Sequence, residues 1–204
     1  MPKTSASTLR QVRRLLPRLW ARATGFTVHP PEQPIPAKCV VIAYPHTTNW
    51  DFPACLFVAD QSGVPVKWLG KKQLFRGPMG PVMRALGGVS VAREGKQGLV
   101  SALVEQYRTT DKLAVVIPAE GTRSKVDYWK SGFYRIALEA QVPIACAFVD
   151  GRTNSGGFGL VLMPTGDVSA DMDKIRAFYA GKTGLKDGNT TVPRLREEDA
   201  EIGE

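Results

Sequence analysis

His46-Thr47-Thr48-Asn49-Trp50-Asp51 closes an apolar run and sets a histidine five residues ahead of an aspartate. Imidazole ionises near neutrality, so it is suited to taking a proton from an attacking hydroxyl. A carboxylate on its other nitrogen fixes the tautomer and stabilises the imidazolium. Glu120-Gly121-Thr122-Arg123-Ser124 closes a second apolar run. A planar guanidinium beside a glycine-bearing turn suits the clamping of phosphate oxygens. Together the two segments point to a site that deprotonates a hydroxyl next to a bound phosphate. Each alone has an ordinary explanation: Asp51 as a helix N-cap, His46 as a hydrogen-bonded strand-end histidine, Glu120 as a turn residue.

The elements that must position these residues alternate. Residues 38–44 read as a buried strand that Pro45 ends, leaving His46 at its C-terminal end. Asp51 opens a helix to about residue 61, and 66–69 form a short strand. Residues 70–87, broken by Gly and Pro, predict short helical turns over the site. Strands follow at 88–92, 113–117, 142–149 and 159–163, and helices at 98–108, 132–140 and 170–180. The remainder is polar and is expected to be loose. This alternation predicts an α/β fold. In such folds sites gather at the C-terminal ends of strands, where His46 and Glu120 lie and where Arg93 ends another strand.

The 204 residues, 43% hydrophobic and 23% charged, suffice for one domain with a full core. Cys39, Cys55 and Cys146 stand in apolar stretches without a Cys-x-x-Cys pair, which predicts buried free thiols in a reducing compartment. With only two histidines, no metal centre is expected. There is no Gly-x-Ser-x-Gly elbow and no phosphate loop ending in Gly-Lys-Ser/Thr. No apolar run approaches the ~20 residues that span a bilayer, and the N-terminus lacks the pattern of a secretory signal. The expectation is a soluble or peripheral protein.

The net charge of +8 is concentrated. Lys3, Arg10, Arg13, Arg14, Arg18 and Arg22 precede the first acid, Glu32. Leu9, Val12, Leu16, Leu19 and Trp20 share one helical face of this arm, and Arg10, Arg14, Arg18 and Arg22 step along another. Such a helix either lies flat on an anionic bilayer or packs on the body with its arginines solvated. Pro17 should kink or split it. The basic run carries no nucleic-acid-binding motif, so no nucleic-acid partner is expected. The chain divides into an amphipathic arm (1–28), a Pro-rich connector (29–37), a main domain (38–185) and a polar tail (186–204).

Read in order, four blocks resemble the glycerolipid acyltransferase superfamily, of the lysophosphatidic acid acyltransferase type. His46 to Asp51 matches His-x4-Asp, and Gly88-Val-Ser-Val-Ala-Arg93 is similar to a Gly-x-apolar-x-x-Arg strand. Glu120-Gly121-Thr122-Arg123 matches Glu-Gly-Thr-Arg, and Val142-Pro143-Ile144 resembles an apolar Val-Pro-Ile block. Lys71-Lys72 to Gly80 and Trp129-Lys130-Ser-Gly132 also resemble family segments, so the likeness covers about 38–165. Departures include Pro45, Thr48, Ala92, Ala119 and Cys146; they leave His46 and Asp51 untouched and bear on the acceptor.

The resemblance implies a mixed central sheet with helices on its faces, glycerol-3-phosphate acyltransferase-like, in a single domain with an N-terminal amphipathic helical arm. It implies acyl transfer from acyl-CoA or acyl-carrier protein to the hydroxyl of a lysophospholipid, with lysophosphatidate giving phosphatidate as the leading case and no cofactor. His46 is then the base, Asp51 its orienting carboxylate, and the hydroxyl attacks the thioester directly. Glu120, Gly121, Thr122, Arg123, Arg93, Lys71 and Lys72 bind substrate, with Glu120 orienting Arg123 or meeting an acceptor hydroxyl. Phe52, Leu74, Phe75, Val142, Pro143 and Ile144 are the acyl-groove expectation. The expected place is the cytoplasmic face of an anionic membrane. Another polar-lipid or glycolipid acceptor, or a non-catalytic lipid-binding adaptor on the same scaffold, remain open.

Overall fold

The computed structural model describes residues 6–91, 96–186 and 188–199 of the chain. The near-continuous apolar run after Lys38 forms β2 (Lys38–Tyr44), buried along almost its whole length. A strand apolar on both faces needs cover on both faces, and β2 has it near the middle of a seven-stranded sheet. The other strands are β1 (Thr27–Val28), β3 (Lys67–Lys71), β4 (Gly88–Val91), β5 (Leu113–Ile117), β6 (Ile144–Asp150) and β7 (Ser155–Leu162). Their order is β1-β7-β6-β2-β5-β3-β4. Parallel pairing joins β6, β2, β5, β3 and β4, whereas β7 runs antiparallel to β6. The sheet is therefore mixed.

Among the described residues six helices cover it: α1 (Ala6–Thr24), α2 (Asp51–Gln61), α3 (Met79–Ala85), α4 (Lys96–Thr109), α5 (Gly132–Ala140) and α6 (Val168–Tyr179). The strand period of two splits β2 between the layers. Val40, Ile42 and Tyr44 pack with α4, α5 and α6, while Cys39 and Val41 pack with α1 and α2. In α5, Phe133, Ile136 and Ala137 fall at helical spacing on the buried face. Fully buried side chains such as Phe133, Ile42 and Met172 each contribute about 1.5–3 kcal/mol. Because five neighbouring strands run parallel, the residues that follow β2, β3 and β5 emerge at one edge.

Two expectations change. α1 is continuous through Pro17, whose buried ring costs one helical hydrogen bond. The helix is also tied to the body: Arg13 donates to the Val66 carbonyl at 2.7 Å, and Arg14 and Arg18 pair with Asp60 at 3.3 and 2.8 Å. The tail is not loose over 188–199. Thr191, Pro193 and Leu195 are buried, the Trp129 N–H donates to the Arg194 carbonyl at 2.7 Å, and Arg176 pairs with Glu198 at 2.8 Å. Its few apolar residues find cover on α5 and α6, which composition alone does not show.

Candidate active site

β2 ends at Tyr44, the Tyr44–Pro45 peptide is cis, and His46 begins the turn that leads into α2. Asp51 does not cap that helix. The N-cap position is Trp50, without a side-chain cap bond. Asp51 Oδ2 instead accepts the N–H groups of Thr47 and Thr48, at 2.5 and 2.6 Å, and Oδ1 accepts the Thr48 hydroxyl at 3.3 Å. The carboxylate thus folds the turn back on itself. That closure spans the five-residue spacing and sets His46 Nδ1 3.3 Å from Asp51 Oδ2. The aspartate side chain is 5% exposed and the imidazole 28%, so the ring keeps an open edge. With Nδ1 turned to the carboxylate, Nε2 is the nitrogen left to exchange a proton with a substrate.

Glu120 follows β5 and is 1% exposed. Its Oε2 accepts the His46 N–H at 2.8 Å, while its buried Oε1 has no partner among the described residues. Burial pushes this carboxyl up to about 8; the His46 N–H pulls it down, and the nearby Asp51 charge pushes it further up. Glu120 therefore neither pairs with Arg123 nor opens to solvent. It ties the second block to the backbone of the first. Gly121 supplies the positive φ of +68° that turns the chain outward, and a Cβ there would meet Lys130 Cγ at 3.2 Å. The turn leaves Thr122 and Arg123 exposed, and Arg123 Nη1 donates to Asn49 Oδ1. Asn49, inside the His46–Asp51 segment, was not singled out by sequence reasoning; its place between the two motif residues was the available signal.

Lys71 ends β3 and Lys72 opens a short 3-10 turn, Lys72–Phe75, on the same edge; both are exposed. Arg93 lies outside the described residues. Between α2 and the sheet runs an apolar cavity of about 170 Å³. His46 and Asp51 line it on one side, and Phe52, Cys55, Val58, Trp68, Leu69 and Phe148 enclose much of the rest. Burial pushes the Cys55 thiol up to about 12, so it stays protonated and apolar in character.

Of the acyl-groove residues expected from sequence, Phe52 lines this cavity. Phe75 stacks on Trp68 at 5.8 Å and lies behind the lining. Leu74 is exposed. Val142, Pro143 and Ile144 are elsewhere. They join α5 to the start of β6, where the Pro143 carbonyl accepts the Val40 N–H. Ile144 pairs in register with Val40 and Phe148 with Tyr44, so the block lies four residues, about 13 Å, back from the site edge. An apolar block on a central strand is core from either end, and the sequence does not say which end faces the site.

No curated protein is significantly similar to the chain in sequence. Among solved structures, the fold is similar to that of the 1-acyl-sn-glycerophosphate (LPA) acyltransferase PlsC from Thermotoga maritima. The TM-score is 0.53 at 16% identity, over 87% of this chain and 82% of that one. An acyltransferase family model matches residues 25–150, which contain His46, Asp51, Glu120 and Arg123. The family match, which spans more than half of the chain, and the shared fold agree: the chain belongs to the acyltransferase family.

Proposed function

We propose that this acyltransferase moves a fatty acyl group from acyl-CoA or acyl-carrier protein to the free hydroxyl of a lysophospholipid, lysophosphatidate being the leading acceptor. The observation that carries the reading is the His46 Nδ1–Asp51 Oδ2 contact of 3.3 Å beside an apolar cavity and an exposed arginine. In this reading His46 Nε2 takes the acceptor's hydroxyl proton as its oxygen attacks the thioester carbonyl. A C–O bond forms, the tetrahedral intermediate collapses, the C–S bond breaks, and the imidazolium returns the proton to the departing sulfur. Asp51 holds the imidazolium throughout. Arg123 takes the acceptor's phosphate, exchanging its bond to Asn49 for phosphate oxygens, with Lys71, Lys72 and Arg93 as further cations and no cofactor. The cavity takes part of the acyl chain. An apolar space of ~150 Å³ holds a benzene, so 170 Å³ accommodates about six carbons.

The reading extends to a membrane surface. α1 turns Pro17 and Ala21 inward and leaves Leu15, Leu16 and Leu19 56%, 48% and 58% exposed. No helix among the described residues is long and apolar enough to cross a membrane. Exposed leucines on a cationic helix fit shallow binding to anionic lipid on the cytoplasmic face.

Free-thiol release from each donor, measured with lysophosphatidate, a neutral monoacylglycerol and a glycolipid, tests the proposal. Release that depends on the phosphate-bearing acceptor is the expected result. Release with only a neutral acceptor or glycolipid would move the enzyme to another acceptor class. None with any acceptor would leave a binding scaffold.

A further inference from the structure

The segment after α6 lies beyond the 25–150 stretch that defines the family match, yet it is bonded into both halves of the site. The Lys186 N–H donates to Thr47 Oγ1 at 3.1 Å, one residue from His46. Asn189 Nδ2 donates to the Arg123 carbonyl at 3.1 Å. Thr191 reaches both sides as well, its hydroxyl accepting the Val126 N–H at 3.1 Å and its carbonyl accepting the Tyr44 hydroxyl. Gly184 packs so closely on Thr47 that a Cβ would fall 2.1 Å from Thr47 Cγ2. The far end is fixed by Leu195, which is fully buried. This strap bridges the turn that carries His46 and the turn that carries Arg123, and it leaves Lys186 exposed beside them.

We propose that the strap is the acceptor-side wall of the site, with Asn189 a positioning residue for the Arg123 turn and Lys186 a second cation for the acceptor's anionic headgroup. The proposal rests on the phosphate-bearing acceptor argued above. A phosphomonoester carries about −1.5 to −2 near neutral pH, more than one guanidinium balances. The two bonds fix the backbone of Lys186 on the His46 turn and the backbone of Arg123 on the strap, so the strap carries one exposed cation next to the turn that carries the other.

The test is steady-state kinetics of the full chain with lysophosphatidate and with a neutral monoacylglycerol, alongside thermal unfolding. A charge-assisted contact is worth about 1.5–3 kcal/mol, so Lys186→Ala should raise the KM for lysophosphatidate about tenfold or more. The KM for the acyl donor should stay within about twofold, and Lys186→Arg should restore most of the loss. Asn189→Ala and Asn189→Asp both remove the donor to the Arg123 carbonyl and should show the same acceptor-selective rise without a matching loss of Tm. An unchanged KM for lysophosphatidate in Lys186→Ala overturns the proposal, as does an equal rise for the neutral acceptor or the donor. If the wild-type protein acylates only neutral acceptors, the acceptor reading itself has failed and takes the role of Lys186 with it. That outcome shows in the unmutated enzyme.

Discussion

Glu120→Gln should change how stability depends on pH, and the structure gives both sign and size. The Glu120 carboxyl ionises at about 8 in the fold against 4.5 for a free glutamate, because it is buried. Between those values it is protonated when folded and ionised when unfolded. Unfolding then releases a proton, so the wild-type protein loses stability as pH rises, by up to about 1.4 kcal/mol per pH unit. Across the window the loss comes to about 5 kcal/mol. Below pH 4.5 it is absent, and above about 8 it is complete. Glutamine keeps an oxygen for the His46 N–H and has no proton to lose. It places an amide nitrogen where Oε1 has no partner, a pH-independent cost of about 1–3 kcal/mol. The variant should therefore be less stable than wild type near pH 4.5, cross it between pH 5 and 7, and be more stable at pH 8. Urea unfolding of both proteins from pH 4.5 to 8.5 measures this directly. Parallel curves, with a difference that does not move with pH, would refute the argument and show a normally ionising Glu120. Activity gives a second reading: Glu120→Gln should keep most turnover, whereas Glu120→Ala, which leaves the His46 N–H unpaired, should lose much of it.

His46→Ala should abolish thiol release with the fold intact, and Asp51→Asn should lower kcat by up to about 10⁴-fold, as loss of an orienting carboxylate does elsewhere; near-wild-type turnover in either would refute the base assignment. Arg123→Lys keeps the charge but not the fork, so its KM for lysophosphatidate should rise while a neutral acceptor is unaffected, and equal losses on both would instead mark a structural arginine. Replacing Leu15, Leu16 and Leu19 together by serine should reduce sedimentation with anionic vesicles and leave Tm close to wild type, because these side chains are exposed; unchanged sedimentation would rule out a lipid-facing α1. Ala147→Leu narrows the cavity beside His46 and should shift preference toward shorter acyl donors, read from donor competition; an unaltered profile would place the acyl chain elsewhere.

Much of the frame was legible because its signals are local. The apolar run 38–44, the 3.6-residue spacing of 132–140 and the Gly/Pro breaks at 70–87 each reflect a short-range period or a backbone constraint, and β2, α5 and the short turns before β4 lie where those patterns put them. The strand-end positions of His46 and Glu120 followed from the same reading. Less legible was which face and which end each element presents. Pro17 was expected to kink or split the first helix and does not split it, and Val142 to Ile144 looked like groove lining but lie at the far end of β6.

The sequence by itself determined the parts: a histidine and an aspartate five apart, an arginine after a glycine turn, and apolar strands long enough to be buried on both faces. Tertiary structure decided their relations. Only the parallel pairing of β2 with β5 brings Glu120 to the His46 N–H and Arg123 to Asn49 across 74 residues of sequence. Only the return of the chain after α6 brings Lys186 to Thr47 and Asn189 to the Arg123 carbonyl. Local propensity acts over a turn or two, whereas these bonds depend on strand register and on burial, which are properties of the closed core. The unusual ionisation of Glu120 belongs to the same class, since a carboxyl holds its proton near pH 8 only where the fold has taken it out of water.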